Sequence, residues 1–257
     1  MHKLLLLLFA TLPALSQTLP ARGTPIDVYD SFEGAKLSPL WETTPIASGA
    51  LRMQSEIVRA GHSAIQITLH ANDKFEAGQH DDGDSERDEL LEARALTSHE
   101  DTPYEFSWSM YLPADFPIVP VRLVVAQWKQ YCGTDMAPCS DDSPVLAVRY
   151  VNGVLSITQS FGRSDKTPLY EEKRDLRGHW LDLRFQARFT PQTTGFIKAW
   201  LDGKQVVDFT GVTANAENAA TGYTTPGYYY FKMGLYRDVM PQPMTIYLDE
   251  YRKKQLP

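Results

Sequence analysis

Leu181, Leu183, Phe185, Ala187 and Phe189 alternate with Asp182, Arg184, Gln186 and Arg188, a period of two that puts one row in a core and the other on a surface. Runs of the same kind recur near 63–69, 103–111, 119–131, 144–151, 154–159, 195–201, 204–209, 226–236 and 244–251, bounded by Gly, Pro, Asp and Asn. The tetrapeptides VNGV at 151–154 and LDGK at 201–204 predict two-residue hairpins, because Asn-Gly and Asp-Gly accept the positive φ angles of a type I′ turn. No amphipathic helix of three turns is predicted beyond the N-terminal segment. Short strands at this spacing predict an all-β chain, an antiparallel β-sandwich of jelly-roll type, with one face curved into a concave groove suited to a long polymer. Pro and Gly are spread along the chain with no linker or repeat, so residues 17–257 read as one domain.

The N-terminus changes where that domain is expected to work. Met1, His2 and Lys3 lead into an apolar block at 4–9 and then to Ala14, Leu15 and Ser16, a small-x-small pattern. Residues 1–16 are therefore expected to be a secretory signal peptide, too short to anchor, and the mature protein to be secreted or periplasmic. The two cysteines, Cys132 and Cys139, bracket a six-residue loop, and in an oxidising compartment they are expected to form a local disulfide. Two thiols alone fall short of a zinc site. A net charge of −7 argues against nucleic acid as a partner, and no segment beyond the leader predicts a membrane span. An acidic ligand must then meet a local basic cluster. A monomer is expected.

Three strands carry polar rows of unusual chemistry. In YYYFKMGLYRD, 228–238, Phe231, Met233 and Leu235 belong to the core, while Tyr230, Lys232, Gly234 and Tyr236 share the other face. Glycine inside a strand points to a close approach to the backbone, and a sugar ring between Lys232 and Tyr236 is the expected cause. In VRLVVAQWKQY, 121–131, Gln127, Lys129 and Tyr131 project together. In DSERDELLEA, 84–93, Arg87 and Glu89 share a face and Asp88 turns away. Arg and Gln hold a carboxylate, Lys adds positive potential, and Tyr gives or takes a proton. That set fits β-elimination across a uronic acid, in which neutralising the carboxylate lets the neighbouring C–H ionise. A tyrosine with its pKa lowered by Lys232 or Arg237 would serve as base, acid or both.

These stretches resemble a known family. YFKMGLYRD is similar to the Y-F-K-x-G-x-Y signature of the alginate-lyase-like jelly-roll polysaccharide lyases, RDEL to their R-[ST]-E-[LV] strand, and AQWK to their Q-[IV]-H strand, in the same order. The ending GLYRDVMPQPMTIYLDEYR resembles the glucuronan-lyase and heparin-lyase-like branch. The resemblance implies a concanavalin-like sandwich in which Arg87 and Gln127 bind the uronate carboxylate and Lys232 assists. It also implies that Tyr236 or Tyr230 donates to the leaving oxygen. Lys129 stands where alginate lyases have His, so a proton-abstracting histidine must come from elsewhere, with His80 the candidate, or tyrosine does both jobs. Lys129, Glu89, Tyr131 and Arg237 complete the expected substrate contacts. Asp81, Asp82 and Asp84 are hard oxygen ligands that would at most hold structural Ca²⁺, and no cofactor is required.

The expected function is cleavage of glucuronan or another β-linked glucuronate polymer to 4,5-unsaturated oligosaccharides, with alginate as the alternative. Sulfated glycosaminoglycans fit less well, because the recognisable groove positions offer few further cations. A laminarinase-like hydrolase would need an E-x-D-x-x-E strand motif, which the chain lacks. A non-catalytic carbohydrate-binding sandwich would need aromatic platforms without this convergence of Arg, Gln, Lys and Tyr.

Overall fold

The computed structural model describes residues 18–42, 47–73, 85–133, 137–138, 143–160 and 166–257. Two antiparallel sheets make up nearly all of it, and the one helical element among the described residues is a 3₁₀ turn, Arg94–Leu96. One sheet, called here the site sheet, runs in the order Lys166–Glu172, Val154–Ser160, Leu146–Val151, Leu123–Cys132, Tyr228–Asp238, Ser85–Glu92 and Trp41–Glu42. The back sheet runs Lys204–Gly211, Gly195–Leu201, Trp180–Arg188, Pro103–Tyr111, Met244–Gln255, Ala64–Leu69 and Leu51–Gln54, with Asp27–Asp30 on the far part of Met244–Gln255. No described helix is long and apolar enough to cross a membrane.

Both expected hairpins form where the turn chemistry puts them. Asn152 and Gly153 have φ of 51° and 82°, Asp202 and Gly203 have 49° and 78°, and Val151 and Leu201 pair with Val154 and Lys204. The core lies between the sheets and is largely aromatic. Trp128 and Phe231 of the site sheet stand 4.8 Å apart, and Trp108 of the back sheet packs 5.3 Å from Phe231 and 5.5 Å from Phe185. Phe231, Met233 and Leu235 are fully buried, as the alternation requires.

An ion pair also joins the layers. Lys253 of the back sheet meets Glu92 of the site sheet at 2.8 Å, and both are buried. Tyr251 donates to the same carboxylate and Lys253 to the Leu96 carbonyl, so every charge has a partner.

Candidate active site

The outward face of the site sheet is built in rows that cross the strands. Register pairs Arg87 with Tyr236, Tyr236 with Val124, Val124 with Arg149 and Arg149 with Ser156, a row across five strands. A second row pairs Leu91 with Lys232, Lys232 with Gln127, Gln127 with Ala147 and Ala147 with Thr158. Glu89 and Gly234 pair between them, and Tyr230 with Lys129 beyond. Directly opposed residues of antiparallel strands share a face, so the register alone brings Arg87, Glu89, Gln127, Lys129, Tyr230, Lys232 and Tyr236 together.

Contacts knit these residues further. Gln127, only 2% exposed, donates through Nε2 to Glu89 Oε1 at 2.5 Å. The other oxygen of Glu89 lies 3.8 Å from Lys232 Nζ. Burial pushes the Lys232 ammonium below its usual pKa, opposed by Glu89 and reinforced by the charge of Arg87. Arg87 and Arg122 both lie against the Tyr236 ring, 4.2 and 4.5 Å from its centroid. Tyr230 is 4% exposed, its ring 4.4 Å from Tyr131, and burial raises its pKa, so it holds its proton firmly.

Gly234 has a different reason from the one the sequence suggested. Its φ is 145°, and a Cβ there would lie 2.4 Å from the Asp88 carbonyl oxygen and 2.7 Å from the Cα of Glu89. The close approach is by the neighbouring strand, at a point where the register with Leu123–Cys132 shifts between Met233 and Tyr236.

Arg237 does not belong to this face. It is fully buried on the core side, paired with Glu86 at 2.8 Å and donating to the carbonyls of Met240 and Gln242. A cation so buried and paired is out of reach of a sugar on the face and of the phenols it was expected to tune. Asp88 turns away from the face as expected, but into the interior. Its Oδ1 accepts from the Ala47 amide, and burial, with Asp73 and Glu89 nearby, pushes its pKa up to about 8. His80, Asp81, Asp82, Asp84 and Cys139 lie outside the described residues, as does the N-terminal leader; Cys132 ends its strand.

Four further residues neighbour this face. Arg149, 7% exposed, donates from Nε to Thr158 Oγ1 at 3.1 Å. Arg122 pairs with Asp238 at 2.6 Å. Lys166 lies within the field of both arginines: burial and then their charges push its pKa down. His99 pairs in register with Tyr228, its ring 5.3 Å away, at the end of the strand remote from Tyr236. The signal for Arg149 was a lone charge inside the apolar run VLAVRYV.

A depression of about 1000 Å³ lies elsewhere, on the outward face of the back sheet, and includes Arg59, Asp182, Arg184, Trp200 and Arg252. Its charges are mostly paired: Arg59 with Asp182 at 2.8 Å and Arg252 with Asp27 at 3.0 Å. The Arg, Gln, Lys and Tyr side chains singled out in the sequence are on the site sheet instead.

A family model described as polysaccharide lyase matches residues 26–252. Among solved structures, the endo-β-1,4-glucuronan lyase of the fungus Trichoderma reesei is similar over 89% of this chain and 95% of its own, with 16% identity and a TM-score of 0.65. A family 7 alginate lyase, A1-II′, solved with a bound substrate, is similar over 82% and 83%, with 12% identity and a TM-score of 0.57. An alginate lyase bound to an alginate trisaccharide is similar over 76% and 82%, with 11% identity and a TM-score of 0.54. A search of curated proteins finds no match.

Proposed function

The chain belongs to the polysaccharide lyase family, and from that premise we propose that it is an exported enzyme that cleaves a polyuronate, glucuronan or another β-linked glucuronate polymer, by β-elimination. One observation carries this reading: Arg87, Gln127, Lys232 and Tyr236, from three stretches far apart in sequence, share one outward face in neighbouring rows. Arg87, Gln127 and Lys232 supply the positive and hydrogen-bonding field for the uronate carboxylate, which stabilises the enolate-like intermediate. A base removes the proton at C5, the electron pair forms the C4=C5 double bond, the C4–O bond breaks, and an acid protonates the departing oxygen.

Tyr236 is the better candidate for the acid, because it shares the Arg87 row, whereas Tyr230 stands beyond Lys232 and is nearly enclosed. His80 is the proposed base. Lys129, Glu89 and Tyr131 flank the reacting ring. The scheme uses only side chains of this chain; Ca²⁺ at Asp81, Asp82 and Asp84 would serve structure, and an oxidising compartment would pair Cys132 with Cys139. The ending of the sequence supports glucuronate over alginate as the polymer.

Incubation with glucuronan and with alginate, read by ultraviolet absorbance of the unsaturated product, tests the reaction. Tyr236→Phe is expected to lower turnover about 10³-fold or more, with the melting temperature unchanged, and Tyr230→Phe much less. Near-normal turnover of both variants would remove the proposed acid. His80→Ala with full activity would give the base role to Tyr236. Reducing ends without the absorbance would mean hydrolysis, and binding without either product a non-catalytic module.

A further inference from the structure

Arg149 is a buried cation on the proposed catalytic face with no carboxylate partner among the described residues. Its Nε bonds Thr158. Asp238, at the end of the Tyr228–Asp238 strand, is taken by Arg122 at 2.6 Å. Burial, with the charge of Arg122 added, pushes the Arg149 pKa down to about 10. Placing an arginine here is costly unless something supplies the missing charge.

Its position shows where that charge would come from. Arg149 lies in the Arg87–Tyr236 row, two strands from Tyr236, roughly 10 Å at the usual strand spacing. The residues around it are small: Val124 and Ser156 are its register partners, and Ala147 precedes it on the same face. The charge of Arg122 lowers the basicity of Arg149, and the charges of both arginines lower that of Lys166, so three cations gather at this end of the face and attract anions.

We propose that Arg149, with Thr158 orienting it and Arg122 and Lys166 beside it, forms a second carboxylate subsite, which holds the uronate of a ring neighbouring the one that is cleaved. The planar fork of a guanidinium suits a bidentate carboxylate, and a polymer acidic at every ring delivers one to this point whenever another ring lies at Arg87 and Gln127. The inference rests on the lyase reading and narrows it: the enzyme prefers runs of consecutive uronates to isolated ones.

The test compares wild type, Arg149→Gln and Arg149→Lys on two polymers, polyglucuronate and one in which each glucuronate is flanked by neutral sugars. On polyglucuronate, Arg149→Gln is expected to raise KM about tenfold, with the loss in KM rather than kcat and a shallower dependence of KM on salt. Arg149→Lys restores part of it. On the alternating polymer wild type and Arg149→Gln have the same KM. Equal loss on both polymers would place Arg149 at the cleaved ring and overturn the second subsite, as would equal KM on polyglucuronate. Should Arg149→Gln fold poorly, the exposed Lys166→Gln reports the same subsite, with about a threefold rise in KM on polyglucuronate expected and no rise disproving the cluster. Absence of unsaturated product from wild type on any polyuronate would instead defeat the lyase reading itself.

Discussion

The interior and the outward face of the site sheet both bury cations, and they treat them in opposite ways. Between the layers, Lys253 has Glu92 and a carbonyl, and on the core side Arg237 has Glu86 and two carbonyls. On the outward face, Lys232 stands 3.8 Å from a carboxylate already held by Gln127, and Arg149 has, among the described residues, a single hydroxyl. In the first region, the desolvation of a charge is offset by contacts the chain makes with itself. In the second, part of that compensation is left for a ligand. The same residue types thus separate into structural and functional groups by how many of their donors are already engaged.

Breaking a saturated pair should have the largest effect. Lys253→Met leaves Glu92 buried with Tyr251 as its remaining side-chain partner, at an expected cost of about 3–5 kcal/mol in urea denaturation; a loss no larger than that of Arg149→Gln would erase the distinction. Asp88→Asn sharpens it from the acidic side. Because the folded pKa of about 8 lies above the unfolded value near 3.9, the folded protein keeps a proton that the unfolded chain has lost. Wild-type stability is therefore expected to fall as pH rises from about 4 to about 8 and to level off above that. The asparagine variant should lack this fall, matching wild type at pH 4 and exceeding it by about 1–3 kcal/mol at pH 8; parallel pH profiles would show that Asp88 is ionised throughout. The smallest effect belongs to exposed pairs: Arg59→Ala, which breaks the 2.8 Å contact with Asp182, should cost less than about 1 kcal/mol by the same denaturation.

What was legible in the sequence follows from where alternation is enforced. Phe231, Met233 and Leu235 were readable because one face must be dry and the other need not be. Lys166–Glu172 was not, since this edge strand is half-buried at most along its length and contains Pro168, so no period marks it. Arg237 falls on the odd-numbered row of the core, opposite Glu86, and consistent alternation would have placed it inside; the nearby signature residues drew it to the face. The row that links Arg87 to Arg149 passes through register shifts at Met233/Tyr236 and Val148/Arg149, and sequence does not number such bulges.

The turn at Asn152–Gly153 gives Arg149 a genetic neighbourhood unlike that of the reaction centre. Arg149 and the Thr158 hydroxyl that holds it lie on the two arms of one hairpin, within Leu146–Val151 and Val154–Ser160, whereas Arg87, Gln127 and Tyr236 come from three distant segments. A single exchanged cassette could retune which polymers are accepted while the bond-breaking residues stay untouched.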